Sequence, residues 1–92
     1  MSSAVAESYV NREKNYVDPK KLLYEYIVAV LFENRECWGY FIALCEELGY
    51  ADLYDLITSL SRVEMEELKE NIPESYANVL GGIYKKYEEY YM

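Results

Sequence analysis

Histidine and glutamine are missing from this 92-residue chain, and basic residues, proline and glycine are scarce. Without histidine there can be no Ser-His-Asp or Cys-His arrangement, and none of the Glu-x-x-His pairs with which helical bundles hold di-iron. No P-loop, GxGxxG or GxSxG motif appears either. The two cysteines, Cys37 and Cys45, lack CxxC spacing, which leaves zinc unsupported. On one helix their Cα atoms would stand roughly 12 Å apart, beyond disulfide reach. Arg35, two residues before Cys37, points to another side of the helix and does little to activate the thiol. Both cysteines are therefore read as small buried hydrophobes in a reducing, cytoplasmic setting. No catalytic, cofactor-binding or metal-ligating residue is expected.

Nine Lys and Arg stand against seventeen Asp and Glu, a net charge of −8. Phosphate backbones and anionic membrane surfaces need clustered cations, so neither is an expected direct partner. The deficit is local: segment 1–21 is slightly positive, 22–51 carries −4, 52–75 carries −5, and 76–92 is balanced. Phe41–Leu60 has the outline of a DNA-reading helix-turn-helix, but its second helix begins at Asp52, carries Asp55 and has no cation before Arg62. Charge rules that out.

Long apolar runs are also lacking. Leu22–Phe32 is interrupted by Glu25 and falls short of the about 20 residues that span a bilayer. Met1–Asn15 has no apolar h-region, so no cleaved leader is expected.

What is present is helical periodicity, punctuated clearly. Residues 1–17 are mostly polar, with Val5, Tyr9, Arg12 and Tyr16 at helical spacing, and read as an N-terminal arm or short helix. Asp18-Pro19 is a helix start: Asp caps free N–H groups, and Pro fits the first turn. Leu22, Leu23, Tyr26, Ile27, Val30 and Leu31 then share a broad face that Val28 and Phe32 widen, which predicts a central helix. Asn34 caps a second helix unless Pro19–Leu48 is continuous. Trp38, Phe41, Ile42, Cys45 and Leu48 form the next apolar face, closed by Gly49 as a left-handed cap. Asp52 opens a third helix. Ser61-Arg62-Val63-Glu64 has the form of a capping box that starts a fourth, and Pro73 ends it. Asn71 or Ile72 caps the last helix, with Glu74 near its positive end. Inside that helix Gly81-Gly82 predicts a kink or the close approach of another backbone. The reading is all-α: residues 18–92 as a compact single-domain bundle, five to six helices in the chain, joined by short turns.

Two carboxylates can run acid–base chemistry only where a fold brings them together. Adjacent pairs such as Glu46-Glu47 and Glu88-Glu89 diverge on a helix, and Glu66, Glu67 and Glu70 read as a solvated face. Two features are left as partner surfaces. Twelve tyrosines exceed what a small core can house, because each buried hydroxyl needs a partner. Tyr84, Tyr87, Tyr90 and Tyr91 of the last helix are thus expected to form a docking face. The second feature is the acidic band with Asp52, Asp55, Glu66, Glu67 and Glu70. Abundant tyrosine and glutamate without glutamine resembles the composition of small proteins from hyperthermophilic archaea and their viruses. The expected role is a non-enzymatic interaction module: an accessory or regulatory subunit docking onto a larger protein, such as a nucleic-acid enzyme, or onto itself. The alternative is an acidic nucleic-acid mimic, possible for a virus, that blocks a basic surface.

Overall fold

The computed structural model describes residues 18–91, so the arm or short helix expected at 1–17 lies outside the described residues. Five helices follow in order: α1 (Pro19–Glu33), α2 (Arg35–Leu48), α3 (Leu53–Ser59), α4 (Arg62–Glu70) and α5 (Glu74–Tyr91). No strand occurs among the described residues, and the fold is an all-α bundle.

The boundaries follow from local chemistry. Asp18 Oδ1 accepts from the Lys20 N–H at 3.1 Å, with Pro19 in the first turn of α1. Asp52 Oδ1 accepts from the Asp55 N–H at 2.8 Å. Ser61 and Glu64 complete the reciprocal capping box: the Glu64 N–H donates to Ser61 Oγ at 3.2 Å, and the Ser61 N–H donates to Glu64 Oε1 at 2.9 Å. The hydrogen bond from the Ser61 backbone holds the Glu64 carboxyl below its ordinary range, helped by the Ser61 hydroxyl. Gly49 closes α2 at φ 85°, a left-handed conformation that costs a residue with a Cβ about 1 kcal/mol or more.

Pro19–Leu48 is two helices with Asn34 at the junction: its Nδ2 donates back to the Val30 carbonyl at 2.8 Å, and it holds the N-cap position of α2 through its carbonyl, which accepts from the Cys37 N–H at 2.9 Å, with no side-chain bond into α2. Two expectations are corrected. Neither Asn71 nor Ile72 caps α5. Asn71 Nδ2 reaches back to the Glu67 carbonyl at 2.8 Å, and the Pro73 carbonyl accepts the first bond of α5 from Ala77. At Gly81 the close neighbour is a side chain, not a backbone: a Cβ there would lie 3.4 Å from Lys69 Nζ and 3.5 Å from its Cδ. Nothing within 4 Å explains Gly82.

Every helix contributes to one core, with Leu23, Phe41, Leu56, Met65, Leu80 and Ile83 among its members. Fully burying such a side chain is worth about 1.5–3 kcal/mol relative to leaving it exposed. α5 packs on α1, α3 and α4, and α1 also meets α2 and α3. Cys37 and Cys45 are free and buried. Burial, then the charges of Asp52 and Asp55, push the Cys45 thiol up to about 11.

The two broadest apolar faces are not wholly covered. α1 buries Leu23, Ile27 and Leu31 but leaves Val28 53 % and Phe32 60 % exposed. α2 buries Phe41 and Cys45 yet exposes Trp38 at 40 % and Ile42 at 52 %, with Leu48 exposed too. The helices that follow pack on one side of α1 and α2 only. No other helix among the described residues covers their outer side.

Candidate docking cleft and tyrosine seam

The C-terminal tyrosines expected to face a partner turn mostly toward the chain itself. Tyr84 is buried, and its hydroxyl donates to the Leu60 carbonyl at 3.2 Å. Burial pushes this phenol above its ordinary range. Tyr87 and Tyr90 are half-buried against the core. Tyr91 is exposed, with its hydroxyl 2.8 Å from that of Tyr54. Ring contacts link the set: Tyr84 lies 5.4 Å from Tyr87, and Tyr87 lies 5.1 Å from Tyr91, centroid to centroid. Tyr54 in turn stacks on Tyr24 at 4.7 Å, with 18° between the planes. Desolvation, with the Tyr91 hydroxyl next, pushes the Tyr54 phenol up to about 12. A second stack, Tyr40 on Tyr76 at 4.0 Å and 13°, fastens α2 to α5. Among the described tyrosines only Tyr84 is buried, as a small interior requires; the others stay partly or largely at the surface, where rings stack on rings and hydroxyls pair with one another or with Asp52. This seam is glue between helices.

The acidic residues divide into separate groups. Asp52 caps α3 and accepts from the Tyr24 hydroxyl at 2.7 Å. Asp55 accepts from the Ala51 N–H at 3.0 Å and from the Ser59 hydroxyl at 3.3 Å. Both serve the turn into α3. On α4, Glu66 pairs with Lys69 at 3.0 Å, while Glu67 and Glu70 are exposed and make no ion pair among the described residues. No hydrogen bond or ion pair joins the two groups. Also among the described residues, no set of three acidic or cysteine side chains is placed to hold a metal ion, and no helix is long and apolar enough to cross a membrane.

The site that sequence reasoning missed lies where α1, α2 and the start of α3 meet. An apolar cleft of about 250 Å³ opens there, with Tyr24, Val28, Trp38, Ile42 and Leu53 among its lining. Phe41 and Cys45 form its buried depth, and Glu46 and Asp52 supply its charged groups. A shallower hollow adjoins it along α1, lined by Glu25, Val28, Ala29, Phe32 and Glu33. Tyr24, Val28 and Phe32 stand four residues apart, so they form one stripe on α1 about 12 Å long. Tyr24 is held in place by its bond to Asp52, which also raises its phenol above the ordinary range. This geometry equips the cleft to take up apolar groups.

The signal for the site was in the sequence. A helix apolar around most of its circumference, as α1 is, must be surrounded on all sides or show its excess. Among the described residues four further helices, two of them under ten residues, leave part of it exposed. No protein-family model, curated protein or solved structure matches this chain.

Proposed function

We propose that the chain is a small, non-enzymatic interaction module, an accessory or regulatory subunit that docks a partner protein through the outer face of α1 and α2. The observation that carries this reading is one continuous apolar surface. Tyr24, Val28, Trp38 and Ile42, each at least 40 % exposed, line a single cleft, and Phe32 extends it. Isolated exposed hydrophobes are ordinary on a protein surface, but a contiguous group around a concavity is the usual mark of a binding site. Aromatic residues are enriched at such interfaces, and Trp and Tyr supply most of their hot spots. The docking face thus moves from the C-terminal tyrosines, which the chain uses internally, to the opposite end of its aromatic inventory. A cytoplasmic setting with free thiols suits this role.

The acidic-mimic alternative has less to stand on. Asp52 and Asp55 are engaged at the α3 turn and Glu66 pairs with Lys69, which leaves Glu67 and Glu70 of the five residues named for it.

The test is capture of companions from native cell extract by the tagged full-length chain and by its Ile42→Glu and Glu67→Lys/Glu70→Lys variants. A companion that is lost with Ile42→Glu and kept by the α4 reversal supports docking through the cleft face. One that is lost with the α4 reversal, yet retained by Ile42→Glu, supports the mimic and overturns docking.

A further inference from the structure

We infer that the occupant of the cleft is a basic amphipathic helix of a partner protein, which inserts one large apolar side chain between α1 and α2; this rests on the docking role proposed above. Size supplies the first argument. The cleft's 250 Å³ falls below the roughly 300–1,000 Å³ of pockets that enclose drug-sized molecules, and the adjoining hollow of about 420 Å³ is open to solvent and does not enclose a ligand. The cleft has room for a single Leu, Phe or Trp anchor. The second is shape. The walls are two helices, and the apolar stripe continues past the cleft along α1 through Val28 to Phe32. Helix-in-groove recognition uses such a strip, with anchors at i, i+3 or i+4, and i+7.

Charge decides the rest. The cleft and its adjoining hollow are edged by Glu25, Glu33, Glu46 and Asp52, and neither has a Lys or Arg in its lining. Among the described residues Glu25, Glu33 and Glu46 make no ion pair. Two cations stand nearby, Arg35 over the Phe32 ring at 4.9 Å and Lys20 with its Nζ 5.8 Å from the ring of the cleft residue Tyr54, against these four acids. A helix carrying Lys or Arg beside its apolar anchor would meet complementary charge, which speeds encounter and fixes register. A second copy of this chain would instead bring the same acids and a further net charge of −8 against them.

Trp38, the one tryptophan in the chain, lines the cleft and reports directly on its occupation. The probe is a synthetic 18-residue helix with leucine on one face and lysine on the other. Its counterpart has glutamate in place of every lysine. Added to the full-length protein, the lysine peptide is expected to shift Trp38 emission to the blue with 1:1 saturation. Its affinity should fall at least tenfold on raising salt from 50 to 500 mM. Ile42→Glu and, independently, Val28→Glu should each weaken it at least tenfold while circular dichroism stays unchanged. Glu46→Lys should move preference toward the glutamate peptide. Equal binding of both peptides would overturn the charge assignment and leave docking standing. Lysine-peptide binding that ignores both cleft variants would overturn the cleft as its seat. A blue shift that grows with protein concentration alone would identify a second copy as the occupant. Emission already blue, and moved to the red by Tyr9→Ser/Tyr16→Ser in the full chain, would identify the chain's own N-terminal segment. No response to either peptide would defeat the docking reading together with this one.

Discussion

Two apolar regions of this molecule differ in composition and have opposite fates. Across α1, α3 and α5 the phenols close on one another: Tyr24 on Tyr54, Tyr54 to Tyr91, Tyr91 to Tyr87, Tyr87 to Tyr84, and Tyr84 to the Leu60 carbonyl. On the outer side of α1 and α2, Val28, Phe32, Trp38 and Ile42 have no such company and remain at the surface. A tyrosine can satisfy its ring against a ring and its hydroxyl against a hydroxyl, so a run of them can be self-sufficient. Aliphatic groups and an indole gain only by burial, and a third layer of helices to bury them is absent among the described residues. Counting tyrosines therefore does not locate an interface. Docking is inferred instead from apolar groups left exposed among the described residues.

The largest expected difference between the two regions is in stability. Tyr84→Ala, which empties a buried aromatic site and frees the Leu60 carbonyl, should cost about 3 kcal/mol, read from urea denaturation. Were Tyr84→Ala neutral, the seam would not be holding α5 to the core. The Tyr40–Tyr76 stack offers a pairwise version of the same test. A double-mutant cycle with Tyr40→Leu and Tyr76→Leu should return a coupling of about 1 kcal/mol. A value near zero would reduce the stack to mere adjacency.

Alkaline pH probes the seam without mutation. The folded-state phenol of Tyr54 ionises near 12 rather than near 10, so the protonated form is the one that folding favours. Stability from this group is thus fully present below about pH 10 and is lost as pH rises toward 12. Tyrosinate absorbance should show late-titrating phenols, and Tyr54→Phe should remove one of them. Smallest of all is the effect expected on the open face. Val28→Ser and Ile42→Ser should each change stability by under about 0.5 kcal/mol, because both side chains are already more than half in water. A loss above 2 kcal/mol for either would mean that the face is covered.

The difference between these regions also sets what could be read from the amino acids alone. Helix starts and stops were legible wherever one residue type has a single local use. Asp18-Pro19, Gly49, the Ser61–Glu64 box and the stop at Pro73 all act within a few residues of themselves. Asn34 and Asn71 were ambiguous, because an asparagine amide can cap the helix that follows or close the one before, and here both reach backward. Periodicity identified apolar faces on α1 and α2 but not how much of each would be covered, since that depends on where α3 and α5 land. Leu23 and Val28 are equally apolar in sequence; one is fully buried and the other half exposed. An excess of apolar surface on α1 was legible, but where the cleft opens depends on how α1, α2 and α3 pack. The tyrosine seam was hidden for the same reason: its links join Tyr24 to Tyr54 and Tyr54 to Tyr91, across intervals no local pattern encodes.

The solvent exposure of Trp38 in the free, full-length protein is the most direct check on an open α1–α2 face. Acrylamide quenching at micromolar and at tenfold lower concentration should find an indole that is readily quenched, with emission unchanged on dilution. A Trp38 that resists the quencher at both concentrations would show a face already closed by the chain itself, and the docking account would be wrong.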